Sequence, residues 1–248
     1  MTHPLPDRIV VVLVRARNPN NIGAVARAMH DFGFRHLRIV SDYAPPFETA
    51  RSAVDASEVL AQATTFATVA EAVADCTLVA GTTAVGERAL EHPLYELAEA
   101  ASKIHSEAAE ENTRIALLFG SEKTGLSNEE LSHCHWLLTV PMHQHEQMRH
   151  PSMNLGQAVA VCLYELIRTQ AAPSTLGTRE AARADEVERF TEHFRRLLEA
   201  SEYTRRHPAN CGDEQIRRLI LRMGLRASDV PIWMGIVRQI LWKLNQPE

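Results

Sequence analysis

The sequence predicts an α/β fold, a parallel sheet flanked by helices, followed by a small all-α extension. Three observations predict it. Short apolar runs are bounded by charges or turn residues, helical stripes lie between them, and after residue 169 the pattern becomes helical throughout. The first run, Ile9 to Val14 between Arg8 and Arg15, is apolar at every position. A strand with one wet face would alternate, so this one is expected to be covered on both faces. Similar runs follow at 36–40, 76–81, 115–120 and 136–140.

Between the runs lie helical segments. In "NPNNIGAVARAM" (18–29) the residues Ile22, Val25, Ala26 and Met29 fall at i, i+3, i+4 and i+7, one apolar stripe. Asn20 or Asn21 is placed to cap its first turn. Arg27 lies off the stripe and is presented toward the crevice in which open α/β sheets bind ligands; a solvated surface arginine is the plainer alternative. Helices are expected over 48–63, with Ala53, Ala56 and Leu60 on one face, and over 69–75. A stronger one covers 153–168, with Leu155, Val159, Cys162 and Leu163 in register. The α/β domain is therefore set at 1–169, a linker at 170–183 containing "QAAPSTLGT", and a helical extension at 184–248. That extension holds helices over 184–200, over 213–223 with Asp213 as cap, and over 228–244.

Apolar content of 45% and charged content of 23% suit a globular chain rather than a disordered one. No apolar run reaches the roughly 18 residues of a membrane span. The start "MTHPLPDR" has neither a basic n-region nor a cleavage site, which favours the cytoplasm. Four dispersed cysteines without a C-x-x-C pair read as reduced, packed thiols. The net charge of −5 hides an asymmetry, since residues 1–167 hold 12 basic against 20 acidic side chains and residues 168–248 hold 14 against 11. The basic tail makes Arg195, Arg196, Arg205, Arg206, Arg217 and Arg218 candidates for phosphate contacts. Pairs with nearby glutamates on solvated helix faces are the alternative for each.

Two further segments carry chemistry. "ALLFGSEKTGLSNEEL" (116–131) delivers a glycine loop from a strand into a helix opened by a Ser127/Glu130 capping box. Leu126-Ser127 stands where a P-loop needs Lys-Ser/Thr, which excludes an NTPase of that kind, and no G-x-G-x-x-G occurs. "VPMHQHEQMRHPSMNLGQAV" (140–159) is a strand end, a polar loop and a helix mouth where Ser152 is a plausible cap and Asn154 has no evident local role. His143, His145, Glu146 and His150 lie on a flexible loop that fixes no i, i+4 arrangement, which is poor metal-ligand geometry, and His133 and His135 read as strand and helix-end residues.

"NNIGAVARAM", "LFGSEKTGLSNEEL" and "SMNLGQAV" resemble, in order and spacing, the three motifs of the SPOUT class of RNA 2′-O-methyltransferases. The helical tail is similar to the C-terminal extension of the TrmJ subfamily, which methylates a cytidine or uridine at position 32 of the tRNA anticodon loop. The resemblance implies S-adenosylmethionine as donor and tRNA as partner, without a metal. It also implies a trefoil knot in the C-terminal part of the α/β domain, and a homodimer that shares its sites. It makes Arg27 the catalytic arginine reaching the neighbouring subunit's site, with Asn21 and Glu122 around the target ribose and Ser152 and Asn154 from the third motif. The donor would lie against Thr82, Thr83, Ala84, Gly120, Val140, Ser152 and Met153. Ser121 stands where the family often has arginine, Ala24 where serine is usual, and the loop 142–151 is long and His-rich. The same chemistry on a tRNA D-loop guanosine or ribosomal RNA, and a non-catalytic RNA-binding protein of this fold, are the alternatives.

Overall fold

A computed structural model describes residues 5–41, 56–84, 91–143, 152–168 and 180–246. Seven strands, β1 (Ile9–Val14), β2 (His36–Val40), β3 (Thr64–Phe66), β4 (Leu78–Thr82), β5 (Leu94–Glu96), β6 (Ile115–Phe119) and β7 (Trp136–Thr139), form one sheet in the order β3-β2-β1-β6-β4-β7-β5. Every pairing is parallel. The α/β domain adds α1 (Leu5–Arg8), α2 (Pro19–Asp31), α3 (Ser57–Ala61), α4 (Val69–Ala72), α5 (Leu97–Ala108), α6 (Asn128–Leu131) and α7 (Leu155–Arg168). The tail holds α8 (Ala184–Ala200), α9 (Tyr203–Arg206), α10 (Asp213–Arg222) and α11 (Asp229–Leu244).

β1 explains its own sequence. Ile9, Val11 and Leu13 face a core built with α2, α5 and α7, whereas Val10, Val12 and Val14 face a second core with α4 and Leu131 of α6. All six are fully buried, at roughly 1.5–3 kcal/mol for each large side chain. On the first face α2 and α7 touch so closely that a Cβ on Gly156 would stand 2.6 Å from the Ala24 Cβ. Gly156 has no room for a side chain.

Several boundaries differ from the sequence reading. Asn18, not Asn20 or Asn21, caps α2, its side chain accepting from the Asn20 amide at 3.0 Å, and Pro19 takes the first turn. Residues 42–55 lie outside the described residues, and the described part of the 48–63 helix is only Ser57–Ala61, because Thr64–Phe66 is drawn into the sheet. The 69–75 helix stops at Ala72, whose carbonyl accepts from Arg38 at 2.7 Å. Asp75 instead binds Arg38 at 2.5 and 2.8 Å and Arg114 at 2.9 Å. The Arg38 hydrogen bonds outweigh burial and hold the Asp75 carboxyl well below the usual range. Gly212, not Asp213, is the N-cap of α10. Five elements, α1, β3, β5, α5 and α9, have no counterpart among the elements expected from the sequence. Cys76, Cys134 and Cys162 are buried free thiols, and burial pushes those of Cys76 and Cys162 up to about 12.

The tail has its own core, centred on Val187, Phe190, Ile216, Ile220 and Val237. It is also fastened to the α/β domain. The amides of Ala184 and Asp185 donate to the carbonyls of Cys76 and Ala74 at 2.8 and 2.9 Å, and Arg217 donates to the Ser132 hydroxyl at 2.7 Å. Arg218 pairs with Glu91 at 3.0 Å. Segments 85–90, 144–151 and 169–179, which include stretches that the expected knot and linker involve, lie outside the described residues.

The α2–α7 contact generates a test. Gly156→Ala should destabilise the protein by about 1–3 kcal/mol, because the added methyl meets a Cβ that has no rotamer to escape into. Adding Ala24→Gly should recover part of the loss in thermal denaturation. Equal melting temperatures for wild type and Gly156→Ala would show that the helices separate without cost.

Candidate active site

In a parallel sheet all strands end on one side, and here the loops after β1, β4, β6 and β7 meet there. The loop after β6 is the tightest. A Cβ on Gly120 would lie 2.1 Å from the carbonyl carbon of Gly125 and 2.2 Å from the Leu126 amide, so the chain doubles back onto a bare backbone. Gly125 closes the turn with φ +66°, a left-handed value suited to glycine, and its amide donates to the Ser121 carbonyl at 2.9 Å.

Arg15, at the end of β1, clamps this loop from outside. Its Nε and Nη2 reach the Glu130 carboxylate at 2.5 and 2.9 Å, and Nη2 also reaches the Gly125 carbonyl at 3.1 Å. To do so Arg15 adopts φ 55°, an uncommon conformation for a side chain of its size. Glu130 in turn accepts from the Ser127 amide at 2.6 Å while its own amide donates to Ser127 Oγ at 3.2 Å, the foreseen capping box. Burial pushes the Glu130 carboxyl up, but the bonds from Arg15 and Ser127 outweigh it and leave it lowered.

The loops enclose a cavity of about 500 Å³. Thr82, Thr83, Ala84, Gly120, Val140, Ser152 and Met153 all line it, together with Glu122, Lys123 and the apolar walls of Leu126, Leu138 and Leu155. Thr82 is fixed by its hydroxyl donating to the Leu118 carbonyl at 2.9 Å, and the Thr83 amide donates to the Leu138 carbonyl at 3.0 Å.

Beside the cavity runs a chain of polar side chains. Asn154 Nδ2 donates to Asn21 Oδ1 at 2.9 Å, and Asn21 Nδ2 donates to Glu122 Oε1 at 3.1 Å. The amides of Asn18 and Arg17 donate to the same carboxylate at 3.2 and 3.4 Å. Burial would raise the Glu122 pKa; the bonds from Asn21 and from backbone amides win and lower it. One residue from each of the three quoted segments therefore joins a single network. Asn154 does have a local role: its Oδ1 accepts from the Gly156 amide at 2.9 Å and its carbonyl from the Ala158 amide at 2.8 Å, which makes it, rather than Ser152, the cap of α7.

Arg27 stands apart. It is exposed on α2, 3.9 Å from Asp31, and is not among the residues that line the cavity of its own chain. His145, Glu146 and His150 lie outside the described residues. His135 is partly buried, its Nδ1 accepting from the Val79 amide at 3.1 Å, and desolvation pushes it down to about 4, so it is a neutral structural acceptor. Burial also lowers His133, which contacts Glu129 at 3.2 Å. Among the described residues no group of three or more His, Cys, Asp or Glu is placed to hold a metal ion. The Arg15 clamp and the Arg17 and Asn18 amides are the parts of the site that sequence reasoning missed.

A parallel sheet, a doubled-back glycine loop and an asparagine-capped helix closing over one cavity define a SPOUT-class methyltransferase. The chain belongs to the SpoU rRNA Methylase family, whose profile matches residues 8–164. It is 34% identical over 241 residues to the tRNA (cytidine/uridine-2′-O-)-methyltransferase TrmJ of Yersinia enterocolitica, covering 94% of this chain and 91% of the relative. The protein of the same name from Pectobacterium atrosepticum is 33% identical over 242 residues, covering 94% and 97%. The crystal structure of TrmJ from Z. mobilis ZM4 superposes with a TM-score of 0.79 at 31% identity, covering 93% of this chain and 98% of that one.

The clamp predicts a pH signature. Because Glu130 is lowered in the fold, its ionic contribution is present above the unfolded value of about 4.3 and lost as pH falls through the folded value. Arg15→Ala should therefore melt below wild type at neutral pH, with a gap that narrows once the pH drops below about 4. A gap independent of pH would mean that Arg15 acts by packing alone.

Proposed function

We propose that this protein methylates the 2′-hydroxyl of a ribose in the tRNA anticodon loop, a cytidine or uridine at position 32. S-adenosylmethionine is the donor, and the working form is a cytoplasmic homodimer in which Arg27 of each subunit completes the other's site. The observation that carries this reading is the convergence of Asn21, Glu122 and Asn154 beside a cavity lined by all seven proposed donor-binding residues. The names of the relatives, which cover most of the chain, support ribose methylation of tRNA.

The cavity fits such a donor. Its volume lies within the roughly 300–1,000 Å³ of small-ligand sites, and it combines apolar walls for a base and an aliphatic chain with exposed backbone at the glycine loop. Thr82 to Ala84, Gly120, Val140, Ser152 and Met153 would hold the donor, which supplies a methyl group on a positively charged sulfur. In the transfer the methyl–sulfur bond breaks, an oxygen–methyl bond forms, and the 2′-hydroxyl proton leaves.

The protein's own residues align the hydroxyl and stabilise the charge that develops on it. Glu122 is poorly suited to taking the proton. Its lowered pKa makes it a weak base, and its oxygens already accept from Asn21, Asn18 and Arg17. Its part is to fix Asn21 and the glycine loop against each other. Arg27 serves as a cation at the developing alkoxide. A phosphate oxygen or water takes the proton.

Incubating total tRNA with labelled donor and mapping the modified nucleotide tests the reading directly. Label in an anticodon-loop ribose is the expected result; label in a D-loop guanosine, in ribosomal RNA or in neither would overturn the assigned target. Arg27→Ala should bind donor and dimerise normally while turnover falls by about 100-fold or more. Mixing that variant with a Gly120→Val subunit should restore part of the activity in heterodimers, and no restoration would exclude a shared site.

The tail arginines need reassignment. Arg195, Arg196, Arg205 and Arg206 pair with Glu192, Glu199, Glu202 or Asp213, while Arg217 and Arg218 fasten the tail to the α/β domain. Arg222, Arg226, Arg238 and Lys243 make no ion pair with a described residue and are the better phosphate ligands. Replacing these four by alanine should weaken tRNA binding and flatten its salt dependence by about 0.7–0.9 in slope per lost contact. Unchanged slopes would remove the tail from RNA recognition.

A further inference from the structure

Most cations of the α/β domain are already engaged by carboxylates or carbonyls. Among its described residues, only the side chains of Arg17, Arg35 and Lys123 make neither a hydrogen bond nor an ion pair with another described residue. Arg35 precedes β2, at the end of the sheet away from the cavity. The other two meet at the cavity end, Arg17 in the loop after β1 and Lys123 in the loop after β6.

Both stand beside Glu122, and neither pairs with it. Arg17 offers that carboxylate its backbone amide, at 3.4 Å, rather than its guanidinium, and Lys123 is the next residue in the chain. Neutral donors occupy the oxygens instead: Asn21 Nδ2 at 3.1 Å and the Asn18 amide at 3.2 Å. Two cations thus remain exposed and without a partner next to their nearest counter-ion. The surrounding charge gives this weight. Residues 1–167 hold 12 basic against 20 acidic side chains, a surface that repels a polyanion except where cations are concentrated and left unneutralised. The positive end of α2, which begins at Pro19, opens at the same place.

We propose, resting on the reading of this site as an RNA ribose methyltransferase, that Arg17 and Lys123 grip the phosphates on either side of the target nucleotide. Their placement selects that ligand. Lys123 is among the residues lining the cavity and Arg17 is not, so a ligand that meets both runs across the mouth rather than lying within it. A ribose inside an RNA strand carries a phosphate on its 5′ side and another on its 3′ side, an anion in each direction. The donor offers a single carboxylate, and its positive sulfur is repelled by a neighbouring cation. Glu122 ties the two loops together through Asn21, Asn18 and Arg17, which sets the spacing of the grip before RNA arrives. The consequence is selectivity for a nucleotide within a strand over a free nucleoside.

The test is filter binding of tRNA across a salt series to full-length Arg17→Gln, Lys123→Gln and the double variant, which reads the contacts without turnover. Each single change should weaken binding severalfold and flatten the salt slope by about 0.7–0.9, and the double by about twice that. Arg17→Lys keeps the charge and should keep the slope. Calorimetric titration with S-adenosylmethionine should give wild-type affinity for all four. An RNA whose phosphates flanking the mapped target nucleotide are uncharged methylphosphonates should bind the wild type as weakly as natural RNA binds the double variant, and should lose nothing further to that variant. A wild-type slope in the double variant, or losses from protein and RNA changes that simply add, would overturn the proposal. So would Lys123→Gln weakening donor binding while leaving tRNA binding intact, which would assign Lys123 to the donor's carboxylate. Slopes as expected in a wild-type protein that transfers no methyl group to RNA would count against the proposed function alone.

Discussion

The site depends on one hydrogen-bonded chain, Asn154 to Asn21 to Glu122, which ties together loops more than 100 residues apart in sequence. Each member is held a second time. Asn154 caps α7, Asn21 lies in the first turn of α2, and Glu122 gathers the amides of Arg17 and Asn18. The parallel sheet delivers these loops to one side, and the contact between Gly156 and Ala24 brings the two helix starts close enough for asparagine side chains to bridge.

What could be read in the sequence was what is local. The unbroken β1 run, the α2 stripe and the Ser127/Glu130 box each involve residues within a few positions of one another, so periodicity and spacing report them. The exposed, three-residue strands β3 and β5 offer no such period. α5 did carry one, Leu97, Ala100, Ala101 and Ile104, but two alanines make a faint stripe. The seven cavity residues could be named from motif resemblance, whereas the clamp of Arg15 on Glu130 spans 115 positions and leaves no mark in either segment alone. Arg27 shows the converse. Its position off the stripe was legible, but its direction relative to the cavity depends on how helices pack on the sheet.

The tail illustrates how charge counts mislead. Its surplus of basic residues came from side chains that are in large part already engaged, two of them in docking the tail itself. Arg217 is bonded to Ser132, directly after α6, and α6 begins from the glycine loop that lines the cavity. The helical extension is thus mechanically continuous with the cavity wall, and cutting it away would also uncover Ala70, Val73 and His135, against which its residues lie.

The doubled-back loop from Gly120 to Leu126 is closed by its own backbone bond, locked by Arg15 from outside and by Asn21 through Glu122 from the flank. Its conformational entropy is therefore surrendered during folding, and a ligand entering the cavity need not order it again. Rigidity of this kind raises affinity for the ligand whose outline it matches. It also works as a sieve: a molecule with one extra substituent on that side meets a wall that can yield only by breaking several hydrogen bonds at once, so discrimination by size is built in before any polar contact is made.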